Sequence, residues 1–161
     1  MDSLEILIDI RKIVRSINLE SKRVFKEFGI SIPQLLCLGH IGRSATGQCS
    51  HGELMKLLSL NSSTVTGIVN RLEKRALVMR HPDTKDKRIT WIEITPQGME
   101  VVNKAPEILH DQLVRKITAL PDDIKQKIRE SLDIIVQAMH IENIEASPVI
   151  TINDPIDTPE S

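Results

Sequence analysis

Apolar side chains along this chain recur mostly at steps of three, four or seven residues. From about residue 3 to residue 28, such steps place one set on a single helix face: Ile6, Ile10, Ile13, Ile17, Val24 and Phe28. The segment 34–41 is almost wholly apolar, which predicts a buried central helix. Two short, β-branched and partly alternating runs at 77–80 and 89–94 predict strands. The pattern therefore predicts a mainly α fold with one small β-hairpin.

Two adjacent helix starts in the middle of the chain predict a helix-turn-helix. Ser50 and Glu53 have the spacing of a capping box, and the helix that follows reaches about Leu58. Asn61 is then the expected N-cap of a helix over 62–75. A polar set shares the outer face of this second helix: Ser62, Ser63, Thr66, Asn70 and Lys74. A small, hydroxyl-rich face at the start of a second helix is typical of a recognition helix that enters the DNA major groove.

A polar loop at 81–87 joins the two predicted strands and has cations at its tip. A helix-turn-helix followed directly by such a hairpin, the wing, is a winged helix, which we predict over about 33–95. A linking helix is predicted over about 96–119. Pro106 lies inside it, removes a backbone donor and should kink or break the helix near Ala105.

The terminal helices are predicted over about 3–28 and 122–146. Their apolar strips are wider than a small winged helix covers, so we expect them to be dimerisation helices that a two-fold partner buries. The expected organisation is one unit over 1–146, a winged helix-turn-helix flanked by N- and C-terminal dimerisation helices. An acidic, proline-containing tail follows at 147–161.

Charge is distributed unevenly along the sequence. The formal net charge is −1, so the overall charge gives no argument for a polyanionic partner. Between residues 62 and 90, however, seven arginines and lysines stand against three acidic residues. A locally basic segment of this kind favours a nucleic-acid surface.

The sequence does not indicate an enzyme, a cofactor or a metal site. No nucleophile–base pair, phosphate-binding glycine loop or carboxylate cluster stands out, and the histidines lack ligand spacing. Cys37 lies in an apolar helix, which favours a buried, inert thiol over a redox sensor, and Cys49 gives no stronger support. No apolar run approaches the roughly 20 residues of a membrane span, so we expect a cytoplasmic protein with no membrane partner.

Three motifs resemble the MarR family of bacterial transcriptional regulators. They are LNSSTVTGIVNRLE at 60–73, LVMR at 77–80, and a wing end in which DKR at 86–88 leads to ITPQG at 94–98. In that family an Asp-x-Arg core in the wing is followed by a strand and a Leu-Thr-x-x-Gly helix start. The resemblance covers about 146 residues. Gly67, where many members have a basic or polar residue, and Ala76, in place of a common glycine, depart from the pattern.

Candidate DNA contacts lie on the recognition helix and the wing. Four residues on the helix face are expected to contact bases or phosphates: Ser62, Ser63, Thr66 and Asn70. For any one of them, capping or solvation of the helix is the alternative role. Arg71 and Arg75 are expected to contact phosphates, with an internal salt bridge as the alternative for Arg71. Lys85 and Lys87 should add affinity without sequence preference.

The resemblance implies a particular role for the wing arginine. It implies that Arg88 enters the minor groove with Asp86 orienting it, where a narrow A·T-rich groove attracts the guanidinium. A solvated hairpin cation is the other interpretation of Arg88.

The expected function is a repressor that binds a palindromic operator in double-stranded DNA as a homodimer and is released by a signal. The family implies a small-molecule effector crevice, lined here by residues such as Arg15 and His40. A winged-helix module for protein–protein interaction is the alternative function. The opening stretch around Phe28-Gly29-Ile30 and a segment near the end are similar to a branch that represses ectoine-synthesis genes.

Overall fold

The structure is a computed structural model that describes residues 2–152. The described chain divides into two compact units. One unit is formed by the residues up to Pro106 and from Ser147 onward, and the other by Glu107–Ala146. The expectation of one unit over 1–146 stays a prediction.

The first unit contains five helices and three strands among the described residues. In chain order they are α1 (Ser3–Phe28), α2 (Ile32–Arg43), β1 (Gln48–Ser50), α3 (His51–Leu58), α4 (Ser62–Lys74), β2 (Val78–Pro82), β3 (Thr90–Ile94) and α5 (Pro96–Lys104). The mainly α fold with a small β-wing that the sequence predicts is confirmed.

The core of the first unit is built around α2. Nine of its twelve residues are buried, and it contacts α1, α4, α5 and β3. The predicted segment 34–41 is therefore central, but the helix begins earlier, at Ile32. Ser31 and Gln34 form a capping box there, and Pro33 lies in the first turn, where a missing N–H costs nothing.

The sheet has three antiparallel strands in the order β1-β3-β2. β3 pairs with β2 from Val78 opposite Ile94 to Pro82 opposite Thr90, which is the predicted hairpin. β1 pairs with the other edge of β3, with Cys49 opposite Ile92. The sequence analysis missed β1 because three residues are too few for an alternating pattern.

Helix α5 begins where a glycine lies directly against the chain before β2. Thr95 caps the helix, and its hydroxyl donates to the carbonyl of Ala76 at 2.7 Å. A Cβ on Gly98 would lie 2.1 Å from the carbonyl oxygen of Leu77, so only glycine fits there. The Thr-x-x-Gly motif thus fixes α5 against the end of the recognition helix.

The second unit contains α6 (Leu109–Thr118) and α7 (Asp122–Ala138) among its residues. The linking helix expected over about 96–119 is therefore two helices, because Ala105, the residue before Pro106, is extended. The break was predicted at that place. The last helix ends at Ala138 rather than near residue 146, since His140 has a left-handed φ of 57°. Of the tail, 147–152 belongs to the first unit, and 153–161 lies outside the described residues.

The left-handed backbone conformation of Ala76 leads to a prediction about the stability of the protein. Its φ is 57°, which costs an L-residue with a Cβ about 1–2 kcal/mol, part of which glycine's larger unfolded-state entropy offsets. We expect Ala76→Gly to stabilise the protein by about 1 kcal/mol and to raise Tm by roughly 2–4 °C in a calorimetric scan. Ala45→Gly, at an exposed turn position without positive φ, is the control and should not raise Tm.

Candidate DNA interface

Helices α3 and α4 form the helix-turn-helix. Ser59, in the left-handed region with φ 49°, ends α3, and the side chain of Asn61 accepts a hydrogen bond from the Thr64 N–H to cap α4. The apolar side of α4 is buried at Val65, Ile68, Val69 and Leu72. Both predicted caps are confirmed, and the buried side of α4 leaves its polar side outward.

Hydrogen bonds fix several side chains at the start of α4. The Thr66 hydroxyl donates to the Ser62 carbonyl at 2.8 Å, and the Ser63 hydroxyl donates to Asn61 Oδ1 at 3.0 Å. Because both hydrogens are used, each hydroxyl presents acceptor lone pairs outward. Ser62 Oγ lies 3.2 Å from His51 Nε2, which joins the starts of α3 and α4.

Asp83 organises the wing loop between β2 and β3. Its Oδ1 accepts the backbone N–H groups of Lys85 and Asp86, both at 2.8 Å. Its Oδ2 accepts the indole N–H of Trp91 at 2.8 Å. These three hydrogen bonds, that of Trp91 first, lower the pKa of the Asp83 carboxyl. One carboxylate thus ties the loop to β3.

Asp86 holds the arginine at the tip of the wing. Arg88 Nε donates to Asp86 Oδ1 at 3.0 Å and Arg88 Nη2 donates to Oδ2 at 3.2 Å, a bidentate pair. The Arg88 side chain is still 91% exposed, so the rest of its guanidinium faces outward. The hydrogen bonds from Arg88 also lower the pKa of Asp86. This geometry is the one that the resemblance implied for an arginine oriented by an aspartate.

The wing loop should lose its order only in acid. Because the folded-state pKa of Asp83 is depressed, its contribution is present above the unfolded value of about 3.9 and is lost as the pH falls through the folded pKa. Trp91 is the single tryptophan, so its fluorescence emission reports on the loop. We expect the emission to be constant between about pH 5 and about pH 8 and to change below about pH 4. Asp83→Asn removes this titration, and its emission should not show that step before far-UV circular dichroism reports unfolding.

The predicted phosphate contacts differ in their surroundings. Arg71, Lys85 and Lys87 are exposed, and within residues 2–152 none of them makes an ion pair. The internal salt bridge considered for Arg71 is therefore not formed there. Arg75 instead donates to the Phe28 carbonyl at 3.2 Å and lies against Gly29, so part of its guanidinium is used to hold α1.

The two predicted effector residues lie on different helices. Arg15 lines an open groove of about 290 Å³ on α1, together with Leu4, Leu7, Ile8, Arg11 and Lys12. His40 is half-buried on α2 and is not part of that groove. The pKa of Glu53, at the start of α3, is lowered mainly by its hydrogen bonds with Ser50 and to a lesser degree by the nearby His40.

Neither cysteine is suited to reaction. Both are buried, and burial raises the pKa of the Cys49 thiol to about 12 and that of the Cys37 thiol further. The thiolate is the reactive form, so both side chains stay inert near neutral pH. No group of three or more potential metal ligands occurs within residues 2–152. Among the same residues, none of the helices carries an apolar run that could span a lipid bilayer.

The sequence analysis gave no role to three residues of this surface, Arg80, Glu73 and His51. Arg80 on β2 binds both Asn70 and Glu73 of α4, and His51 binds Ser62. Their partners lie seven to eleven residues away across a turn or strand. No local spacing rule connects such positions, although the basic character of Arg80 within the 62–90 segment was a signal.

Comparison with known proteins shows that this chain is similar to transcriptional regulators. The MarR family model matches residues 28–89. An uncharacterised helix-turn-helix transcriptional regulator of Bacillus subtilis, YsmB, is 31% identical over 116 residues, which are 67% of this chain and 78% of the relative. The transcriptional repressor IacR of Pseudomonas putida is 26% identical over 117 residues, 71% of this chain and 67% of IacR.

Solved structures have the same fold. The regulator BldR from Sulfolobus solfataricus is 28% identical, with a TM-score of 0.54 over 84% of this chain and 95% of BldR. The DNA complex of MepR from Staphylococcus aureus has a TM-score of 0.58 at 19% identity, over 81% of this chain and 94% of MepR. Nothing in these comparisons singles out the ectoine-synthesis branch, which stays a prediction. The family and these relatives are regulators rather than enzymes, and the chain belongs to the MarR family of transcriptional regulators.

Proposed function

We propose that this protein is a homodimeric repressor that binds an inverted-repeat operator and is released by a signal. The observation that supports it most is the combination, within one unit, of an outward polar face on α4 and an arginine held at the wing tip by Asp86. A helix of this kind enters the major groove, and a wing arginine inserts into an adjacent minor groove.

The proposed dimer rests on apolar surface that each terminal region leaves open. Leu7, Val14 and Phe25 of α1 stand seven and eleven residues apart, which is one helix face, and each is about half exposed or more. In the other unit, α7 has no buried residue, and Leu132 and Met139 are exposed. A two-fold partner buries such surface economically and places two recognition helices about one DNA turn apart.

The proposed mode of action is repression in the cytoplasm. IacR and the Pseudomonas putida relative NicR are both named repressors, and occupation of a promoter by a dimer needs no further contact. Release requires a ligand that binds the free dimer better than the DNA-bound dimer. A small molecule is the proposed signal, because the buried thiols are inert and the described residues hold no metal cluster.

Arg88 should carry a large share of operator affinity. We expect Arg88→Ala to weaken operator binding by about 1–3 kcal/mol, roughly 5- to 150-fold, the scale of one strong groove contact. Lys87→Ala is the control, because it removes an exposed neighbouring cation. This variant should lose less affinity than Arg88→Ala, and the loss should be equal on specific and non-specific DNA. Fluorescence anisotropy at fixed salt measures both, and equal affinity for wild type and Arg88→Ala would contradict the minor-groove role.

Selection of bound DNA from a random duplex pool tests the whole proposal. We expect an inverted repeat whose half-sites are about one helical turn, roughly 10 base pairs, apart. Retention of DNA should fall steeply as salt rises, because phosphate contacts release counterions. Failure to retain any duplex at low ionic strength would overturn the proposal and favour the protein-interaction alternative.

A further inference from the structure

Asn70 belongs to a hydrogen-bonded cluster that joins the recognition helix to the wing. Arg80 on β2 donates from Nη2 to Asn70 Oδ1 and also to Glu73 Oε2, the latter at 2.7 Å. Arg80 Nε donates to the same Glu73 oxygen at 3.2 Å. The side chains of Arg80 and Glu73 are 28% and 39% exposed, whereas Asn70 is exposed. The cluster therefore has an inner ion pair and an outer amide.

The chemistry of arginine fixes which way the Asn70 amide points. A guanidinium has five N–H donors and no acceptor, so only the amide oxygen can face it. The charged inner pair is satisfied between Arg80 and Glu73 and holds the guanidinium in place. The Asn70 oxygen is then turned toward Arg80, and the Nδ2 hydrogens are the part of the amide left for another partner.

We propose that Arg80 makes Asn70 a donor-only group toward the DNA, so that Asn70 selects a base whose major-groove edge has acceptors alone. This inference rests on the proposed operator binding. Guanine presents O6 and N7 and thymine presents O4, whereas cytosine presents only a donor and adenine presents one donor and one acceptor. Asparagine otherwise pairs with adenine through both its oxygen and its nitrogen, and here the oxygen is committed to Arg80.

Arg80 is in this scheme a positioning residue and Asn70 the contact residue. The half-site position opposite Asn70 should be guanine or thymine on the strand that it contacts. Substituting cytosine there should weaken binding by roughly 5- to 150-fold, the scale of one well-formed base contact.

The experiment begins by locating that position. Affinities of wild type and Asn70→Ala are measured on a selected operator in which each half-site base pair is replaced in turn. The position at which Asn70→Ala loses base preference, while the other positions keep theirs, is the one opposite residue 70. We expect wild type to prefer guanine or thymine there.

Two substitutions then test the role of the amide orientation. Asn70→Asp keeps the shape and the bond to Arg80 but replaces the outward donor with an acceptor, so the preference should invert toward cytosine or adenine. Arg80→Met leaves the amide free to rotate, so operators with adenine opposite Asn70 should then be bound. The base preference at the other positions should not change. Arg80→Lys retains a donor toward Asn70 and should retain the wild-type preference.

The stability of each variant is followed by thermal unfolding, because Arg80→Met leaves the Glu73 carboxylate unpaired. The double variant Glu73→Gln/Arg80→Met removes that charge and should give the same relaxed preference. A loss of affinity that is equal for all four bases in every Arg80 variant would assign Arg80 a purely structural role and overturn the inference.

The inference and the proposed function fail in different ways. If wild type retains no duplex, the proposed function fails. Three results with a wild type that binds its operator would refute only the role of Arg80 and Asn70. Asn70→Ala could leave the base preference unchanged at every position, or wild type could prefer adenine at the position opposite residue 70. Asn70→Asp could also leave the wild-type preference unchanged.

Discussion

Gly67→Glu is expected to abolish specific operator binding while the protein stays folded. Gly67 lies on α4 between Ser63 and Asn70 at steps of four and three residues, so it shares their face. A Cβ there would meet nothing within 4 Å, so the unbound protein accommodates a side chain without displacement. In the groove, the same side chain would place a carboxylate against base edges and phosphates. Affinity should fall to the non-specific level, on the order of 10³-fold or more.

Matched variants separate this effect from changes in folding and charge. Gly67→Ala should raise stability by up to about 1 kcal/mol, because alanine is the better helix former, and should keep most of the affinity. Asn103→Glu adds the same charge at an exposed position of α5 and should bind the operator nearly as wild type does. Anisotropy titrations with thermal unfolding measure all three, and a Gly67→Glu protein that binds normally would place α4 outside the groove.

Local chemistry explains why much of the DNA-binding unit could be predicted from sequence. Asn61 caps α4, Ser50 with Glu53 caps α3, and Pro106 interrupts the linking helix, each through contacts with residues at most four positions away. Periodic apolar positions then identify the buried side of α4, and its polar side follows by exclusion. Features encoded at such short range need no knowledge of the rest of the fold.

Features that the sequence analysis missed depend on distant partners. Strand β1 exists because Cys49 pairs with Ile92, more than 40 residues further along the chain. The phosphate contact expected of Arg75 stays a prediction, but its hydrogen bond to the Phe28 carbonyl, 47 residues earlier, was missed. Asn70 was identified as a candidate contact, but the direction of its amide depends on Arg80. The candidate surface was therefore predictable in position, while the hydrogen-bonding character of its groups required the fold.

The exposed face of α1 gives the second large prediction. A terminal helix that kept Leu7, Val14 and Phe25 in water would leave a stripe of large apolar side chains exposed along one face, which monomeric proteins rarely do. If a second copy covers this stripe, a carboxylate in its middle must be buried without a partner, at a cost of several kcal/mol. Val14→Glu should therefore weaken the dimer by about 100-fold or more.

Ser16→Glu is the matched control, because it adds the same charge two residues later on the exposed, polar side of α1. Light scattering at micromolar concentration should give about twice the chain mass of 18.1 kDa for wild type and Ser16→Glu, and a single chain mass for Val14→Glu. The monomer holds one half-site only, so its affinity for a full operator should fall by roughly 10²- to 10⁴-fold as the linked second contact is lost. A Val14→Glu protein that remains dimeric would place the interface elsewhere, and a monomeric wild type that still binds a full operator tightly would show that symmetry is not required for recognition.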